Sequence, residues 1–231
     1  LDVGQGQCLL LRIDDYITLI DCGGSDPQDA GEYAARYLHS SGVTRIDSVI
    51  ITHYDDDHAG AAPYLLSRIE ADKLYLPDTE DDGDIRKTLE EVYGDRICWV
   101  DKSIGMRTDA MQLILYTSSS KKSGNESCLC VLFQTENCDI LITGDRSDAG
   151  ERMLLRQAQL PQVDVLIAGH HGSKYSTSEP FLDKINPANA VISCGNNRYG
   201  HPSEEVLERL VKRGIKVHNT KEEGAMVFVI P

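Results

Sequence analysis

His53-Tyr54-Asp55-Asp56-Asp57-His58 packs two imidazoles and three carboxylates into six consecutive residues, and the chemistry that such a run offers is the binding of divalent cations. Neutral imidazole and carboxylate oxygen are the donors that borderline and hard dications prefer. Without a cation, like charges this close raise one another's pKa and oppose folding. The competing reading is an acidic solvated turn with two incidental histidines. Residues of the same types also end other apolar runs. Residues 139–145 run Asp-Ile-Leu-Ile-Thr-Gly-Asp and end in Asp145, and residues 163–173 end in His170-His171-Gly172-Ser173. Residues 16–20 lead into Asp21-Cys22-Gly23-Gly24, where the glycines permit a tight turn and close backbone approach. Asp21 is placed to accept a hydrogen bond from a ligating imidazole. Taken singly, an Asp after a strand is more often a turn or cap residue. In this order they make a ligand set.

The elements that must position these residues alternate between two periodicities. Residues 47–52 supply β-branched and apolar side chains up to His53, and Ala59-Gly60-Ala61-Ala62 opens a small-residue helix, so the cluster falls on a strand-to-helix turn. Amphipathic segments at 29–38, 85–92 and 203–211, with further strands at 190–193 and 225–230, predict an α/β class. No Pro/Ser-rich linker divides the 231 residues, so the expectation is one domain over 1–231. The polar stretches 78–84 and 118–126 read as loops, and the second leads into a strand carrying Asn125 and Ser127. Lys121-Lys122 reads either as a solvated tip or as a flap over the site.

The order and residue types resemble the metallo-β-lactamase superfamily, whose pattern runs Asp, HxHxDH, a further His, a bridging Asp and a last His. More narrowly, Leu1-Asp2-Val3-Gly4-Gln5-Gly6-Gln7, Leu19-Ile20-Asp21-Cys22-Gly23-Gly24, Thr52 to Gly60, Thr143-Gly144-Asp145, His170-His171-Gly172-Ser173 and Tyr199-Gly200-His201-Pro202 are similar to the soluble hydrolase domains of ComEC-type competence proteins and their stand-alone relatives. That resemblance implies a four-layer αββα sandwich, two divalent metal ions, zinc or manganese, and hydrolysis by a metal-bound hydroxide. It implies His53 and Asp55 on one metal, Asp57, His58 and His171 on the other, and Asp145 bridging, with Asp57 also counted among the catalytic residues. The sequence departs from the pattern in two places. Asp55 stands where most members have His, which shifts the site towards oxygen donors. The middle His is missing and Asn125 or Ser127 stands in its place, so that coordination position is expected to be filled only when substrate phosphate completes it, with Asn125 and Ser127 as candidates for substrate binding. His170 and His201 stay outside the ligand set as catalytic candidates: His201 for substrate phosphate or leaving-group protonation, His170 with a packed, hydrogen-bonded imidazole as the alternative. Ser173 and Lys174 are candidates for substrate contact, Ser173 with a turn role as its alternative.

The formal net charge of −14 argues against tight binding to a phosphate backbone. Arg146, Lys174 and Arg198 lie near the site loops and are expected to form a local positive rim, favouring a small phosphodiester or a transient encounter. Seven cysteines, most in or beside apolar runs, read as buried thiols in a reducing compartment rather than a disulfide framework; Cys22 is the one thiol placed to line the site. No stretch reaches the ~20 apolar residues of a membrane span. The chain opens without Met on residues that read like the interior of a first strand, so an N-terminal extension is expected. A cytoplasmic location is expected, or an extracytoplasmic one if the chain belongs to a membrane DNA-uptake protein. The function expected is metal-dependent hydrolysis of a phosphodiester, with single-stranded DNA or a small phosphate ester as partner; oligomeric state is open. Two alternatives stand: hydrolysis of a lactone, thioester or β-lactam on the same fold, and a non-catalytic binding module with a degraded site.

Overall fold

The computed structural model describes residues 1–81, 83–118 and 124–230. Among them, β1 (Leu9–Ile13), β2 (Tyr16–Ile20), β3 (Arg45–Ile50), β4 (Glu70–Pro77) and β5 (Ile97–Val100) form one sheet in sequence order. A second sheet is built from β6 (Ile104–Arg107), β7 (Gln112–Tyr116), β8 (Cys130–Gln134), β9 (Asp139–Ile142), β10 (Val165–Ile167), β11 (Asn189–Ile192) and β12 (Lys216–Asn219), in the order β12-β11-β10-β9-β8-β7-β6. β2 to β5 are mutually parallel, as are β9 to β12; β1 and β6 to β8 pair antiparallel.

Helices cover the outer face of each sheet. α1 (Pro27–Ser40), α2 (Asp56–Ala59), α3 (Ala62–Leu66) and α4 (Asp84–Tyr93) follow strands of the first sheet; α5 (Asp148–Gln157), α6 (Glu179–Ile185), α7 (Glu204–Lys212) and α8 (Thr220–Glu223) belong to the second half. α1 starts where Asp26 accepts the Asp29 N–H and Pro27 needs no donor partner, and it buries Ala30, Ala34 and Leu38 at four-residue spacing. α7 is capped by Ser203 and buries Val206 and Leu210. The continuous apolar runs of the strands are explained by burial on both faces. Leu19, Val49 and Leu74 pack outward with Leu38, Leu65 and Leu89, whereas Ile20 and Ile50 point inward to meet Val131, Ile142 and Val191. Leu132, Leu141 and Leu166 turn the other way, towards Leu154, Phe181 and Leu210. Three apolar layers between four structural layers make the αββα sandwich that the family resemblance implied.

Four local expectations are corrected. The helix after the cluster begins a turn earlier than Ala59, because Asp56 to Ala59 already form α2 and the chain re-enters helix at Ala62. Residues 1–7 are irregular, with Gly4 and Gly6 at positive φ, and the first strand starts at Leu9. Asn125 to Ser127 form a 3-10 turn and β8 begins only at Cys130. Residues 225–230 form no strand: Met226 packs against the inter-sheet core and the Phe228 ring meets His218 edge-on, but the segment pairs with no neighbour among the described residues. Lys121 and Lys122 lie outside the described residues. No helix among those described is long and apolar enough to cross a membrane.

Candidate metal centre

The site residues leave the carboxyl ends of strands in both sheets. Asp21 follows β2, and His53 to His58 follow β3; Asp145 follows β9, and His170 and His171 follow β10. Two tight approaches make this possible. A Cβ at Gly23 would overlap the Asp57 carbonyl carbon and the His58 nitrogen, so the Asp-Cys-Gly-Gly turn packs directly on the metal loop. Gly144 adopts φ +55, letting the chain turn sharply before Asp145. His170 and His171 both hold left-handed backbone, φ 52 and 53, a strained conformation for residues with a Cβ that persists where the surroundings over-determine it.

Hydrogen bonds fix the tautomer of three imidazoles. Asp21, fully buried and at φ 58, accepts from Gln7 Nε2 at 2.8 Å, Thr52 N at 2.7 Å, Thr52 Oγ1 at 2.8 Å and His58 Nδ1 at 2.8 Å. Because the Thr52 hydroxyl proton goes to Asp21, Oγ1 accepts from His53 Nδ1 at 3.0 Å. His171 Nδ1 donates to the Ser193 carbonyl at 2.7 Å. Each ring therefore commits Nδ1 as donor and turns the Nε2 lone pair inward. His58 Nε2 and His171 Nε2 then face one another at 3.1 Å, and His171 Nε2 is 3.2 Å from Asp57 Oδ2.

Asp145 divides its two oxygens between two sides. Oδ1 is 2.9 Å from His58 Nε2 and 3.8 Å from His171 Nε2; Oδ2 is 4.0 Å from His53 Nε2 and 3.6 Å from His170 Nε2. Asp55 Oδ2 stands 3.6 Å from His53 Nε2. Buried His53 Nε2 and Asp145 Oδ1 have no hydrogen-bond partner, and the donor atoms of His53, His58 and Asp145, like those of Asp57, His58 and His171, lie within 4.8 Å of one another. Inward-facing lone pairs at these distances repel unless a cation sits among them, so the donor set fits divalent metal ions. The charge balance agrees. Burial opposes ionisation of Asp145, but His58, His171 and His53 outweigh it and hold its pKa far below the ordinary carboxylate value. Burial likewise disfavours charge on His58, yet Asp145 and Asp21 push its pKa well above normal, so the carboxylates demand a positive charge at Nε2, a proton or a cation. His53 lowers Asp55, and the neighbouring imidazoles lower Asp57 against its burial.

The remaining sequence candidates divide into those beside the centre and those that serve the fold. The His170 ring meets the His201 ring edge-on at 5.5 Å, and His201 Nδ1 is buried without a hydrogen-bond partner. Ser173 is buried, its Oγ within 3.4 Å of the Tyr175 N–H, and with Lys174 it lines a cleft next to His201. Ser127 is buried, and the Leu129 N–H bonds to the Thr52 carbonyl at 2.8 Å, which brings the segment after Asn125 against the metal loop. Arg146 is not a rim cation: it is fully buried and donates Nε and Nη2 to the Cys128 carbonyl, bracing the turn behind Asp145. Cys22 packs into the outer core of the first sheet instead of lining the site. Gln7 and Thr52 were not singled out from sequence, although the hydroxyl ending an otherwise apolar run was a signal for Thr52.

Residues 1–84 match the family model of the metallo-β-lactamase superfamily, and with this fold and donor set the chain belongs to that superfamily. Within it, the chain is 30% identical over 99% of its length to ComE operon protein 3 of Bacillus subtilis (strain 168), and 31% identical over 98% of its length to competence protein ComA of Neisseria gonorrhoeae. It spans about a third of the length of these relatives, 32% and 31%. A solved metal-dependent hydrolase of the β-lactamase superfamily superposes with a TM-score of 0.58 at 14% identity, covering 100% of this chain and 96% of that one, a likeness of fold.

Proposed function

We propose that this domain is a metal-dependent phosphodiesterase. The observation that carries the reading is Asp145, whose two carboxylate oxygens face separate sets of imidazole lone pairs, the arrangement that a pair of cations requires. His53, Asp55 and Asp145 would hold one ion, and Asp57, His58, His171 and Asp145 the other. Such ions, zinc or manganese, would supply acidification of a water molecule and positive charge opposite a phosphoryl oxygen. Asp21, Thr52 and the Ser193 carbonyl hold the Nδ1–H tautomers and aim the Nε2 nitrogens at the centre. The pKa of His201 is lowered, first by burial and then by His170 and His171, which makes its protonated form a readier donor to a leaving alkoxide. A carboxylate-rich centre with exposed Lys174 in the adjoining cleft favours an anionic ester, and the likeness to competence proteins supports a phosphoester or DNA as substrate.

The test is turnover of bis(p-nitrophenyl) phosphate, single-stranded DNA, a lactone and nitrocefin by protein loaded with manganese or with zinc. Phosphodiester cleavage that follows metal content is the expected result. Faster turnover of the lactone or nitrocefin, or no metal bound after supplementation, would overturn the reading.

A further inference from the structure

On the His201 side of the metal centre lies an open cleft of about 500 Å³, with Lys174, Tyr175, Tyr199, His201, Glu204 and Glu208 in its walls. Two tyrosines here stand largely in solvent, Tyr175 65% exposed with Lys174 Nζ 5.2 Å from its ring centroid and Tyr199 76% exposed. They are nevertheless held in place. Asn197 Oδ1 accepts the N–H groups of Tyr199 and His201 at 3.1 and 3.0 Å, and Asn197 Nδ2 donates to the His201 carbonyl at 2.7 Å. Tyr175 sits on a loop whose Lys174, Ser176 and Thr177 carbonyls are gripped by Arg209. The Tyr199 ring lies over His201 at 5.7 Å with a 32° tilt, His201 meets His170 at 5.5 Å, and His170 Nε2 is 3.6 Å from Asp145. A row of rings thus runs from the metal centre to solvent. Exposed aromatic faces on a braced backbone lose little freedom on stacking against a planar base.

The opposite wall is acidic. Glu204, Glu205 and Glu208 come from the first two turns of α7, and Glu204 and Glu205 put carboxylates in the first turn, at the helix end that would otherwise attract an anion. A second phosphate entering here meets three carboxylates against the single ammonium of Lys174, whereas the ring N–H and amino groups of a nucleobase meet hydrogen-bond acceptors. We infer that this cleft is a subsite for one unpaired nucleobase flanking the scissile phosphate, stacked on Tyr199 and Tyr175, and that its acidic wall excludes a further phosphate. Resting on the phosphodiesterase reading, this narrows the substrate to a dinucleotide or a single-strand terminus.

The experiment compares a dinucleoside monophosphate, TpT, with the two counterparts that each lack one base. In the parent, removing the base that occupies the cleft lowers kcat/KM by ~10–100-fold, the range of one base–aromatic stack. In Tyr199→Ala this ratio falls towards one, Tyr199→Phe retains it, and Tyr175→Ala reduces it partly. A terminal phosphate on the sensitive nucleoside lowers kcat/KM, and the double substitution Glu204→Gln/Glu208→Gln relieves that loss. Equal rates with and without either base, or a ratio that survives in Tyr199→Ala, would overturn the subsite. Binding of the uncharged methylphosphonate analogue of TpT, measured calorimetrically, separates the two levels of inference. Tyr199-dependent binding without turnover leaves the subsite and removes the phosphodiesterase reading; turnover without Tyr199-dependent binding does the reverse.

Discussion

Thr52→Val is the sharpest test of how the centre is built, because it removes one hydroxyl and keeps the shape. Thr52 Oγ1 is buried, gives its proton to Asp21 and takes the proton of His53 Nδ1. Valine leaves that Nδ1–H without an acceptor in a water-free position, at a cost of about 1–3 kcal/mol. The His53 ring can escape only by moving its proton to Nε2, which places a hydrogen where a lone pair must bind metal. Either route opposes metal binding through His53, and loss of such an outer hydrogen bond weakens metal affinity ~10–100-fold, or about 1.4–2.7 kcal/mol. The other half of the centre feels the change only through Asp21 Oδ2, which the Thr52 hydroxyl shares with His58 Nδ1. Asp21 keeps the backbone N–H of residue 52, Gln7 and His58, so the ion held by Asp57, His58 and His171 should bind as in the parent. Competition titrations against a chromophoric chelator resolve two equivalents, and only one should weaken; Thr52→Ser should recover it. Two unchanged affinities, or equal loss at both, would refute the relay from Asp21 through Thr52 to His53.

Asp145→Asn should abolish hydrolysis and sharply weaken retention of both ions, because an amide cannot supply anionic oxygens to two sides; exposed Asp56→Asn is the control, and elemental analysis after dialysis reads the result. His201→Ala should keep its metal content while losing ~10²–10⁴-fold in turnover of DNA, with a much smaller loss for a p-nitrophenolate leaving group that needs no proton; equal losses on both would remove the proton-donor role. Glu151, pushed up from 4.5 to about 7 by burial while accepting the Thr177 and Ser178 N–H groups, binds its proton in the folded state at pH values where the unfolded chain has released it. Its stabilising contribution is therefore complete below pH ~4.5 and fades as pH rises through about 7, a loss of roughly 3 kcal/mol at ~1.4 kcal/mol per unit. Melting curves of Glu151→Gln between pH 5 and 8 should lack this decline; curves parallel to the parent would show an unperturbed carboxyl.

The strands that carry ligands were legible because burial on both faces writes them as unbroken apolar runs, and a polar residue that ends such a run stands out. Asp21, Asp145 and His171 were singled out in that way, and the fold brings them into one cluster; the αββα sandwich itself was expected from the family resemblance. The failures share a different cause. Arg146 looked like a surface cation because sequence shows charge but not depth, and only the folded chain reveals that its guanidinium satisfies the Cys128 carbonyl. Residues 225–230 have strand composition, yet a strand requires a partner, which composition does not reveal. Thr52 and Gln7 were overlooked because their role depends on which atoms of Asp21 remain to be satisfied, a question of geometry decided 31 and 14 residues away in the chain.

The candidate donors come from two halves of the chain, His53, Asp55, Asp57 and His58 from the segment that follows β3 in the first sheet, Asp145 and His171 from loops of the second. Neither half owns a complete coordination sphere, so a bound ion acts as a rivet across the open rim of the sandwich. Cutting the backbone between β5 and β6, in the short link joining the sheets, would give two fragments that are each inert. Their reassembly would be a coincidence detector, reporting metal and partner fragment together and neither one alone.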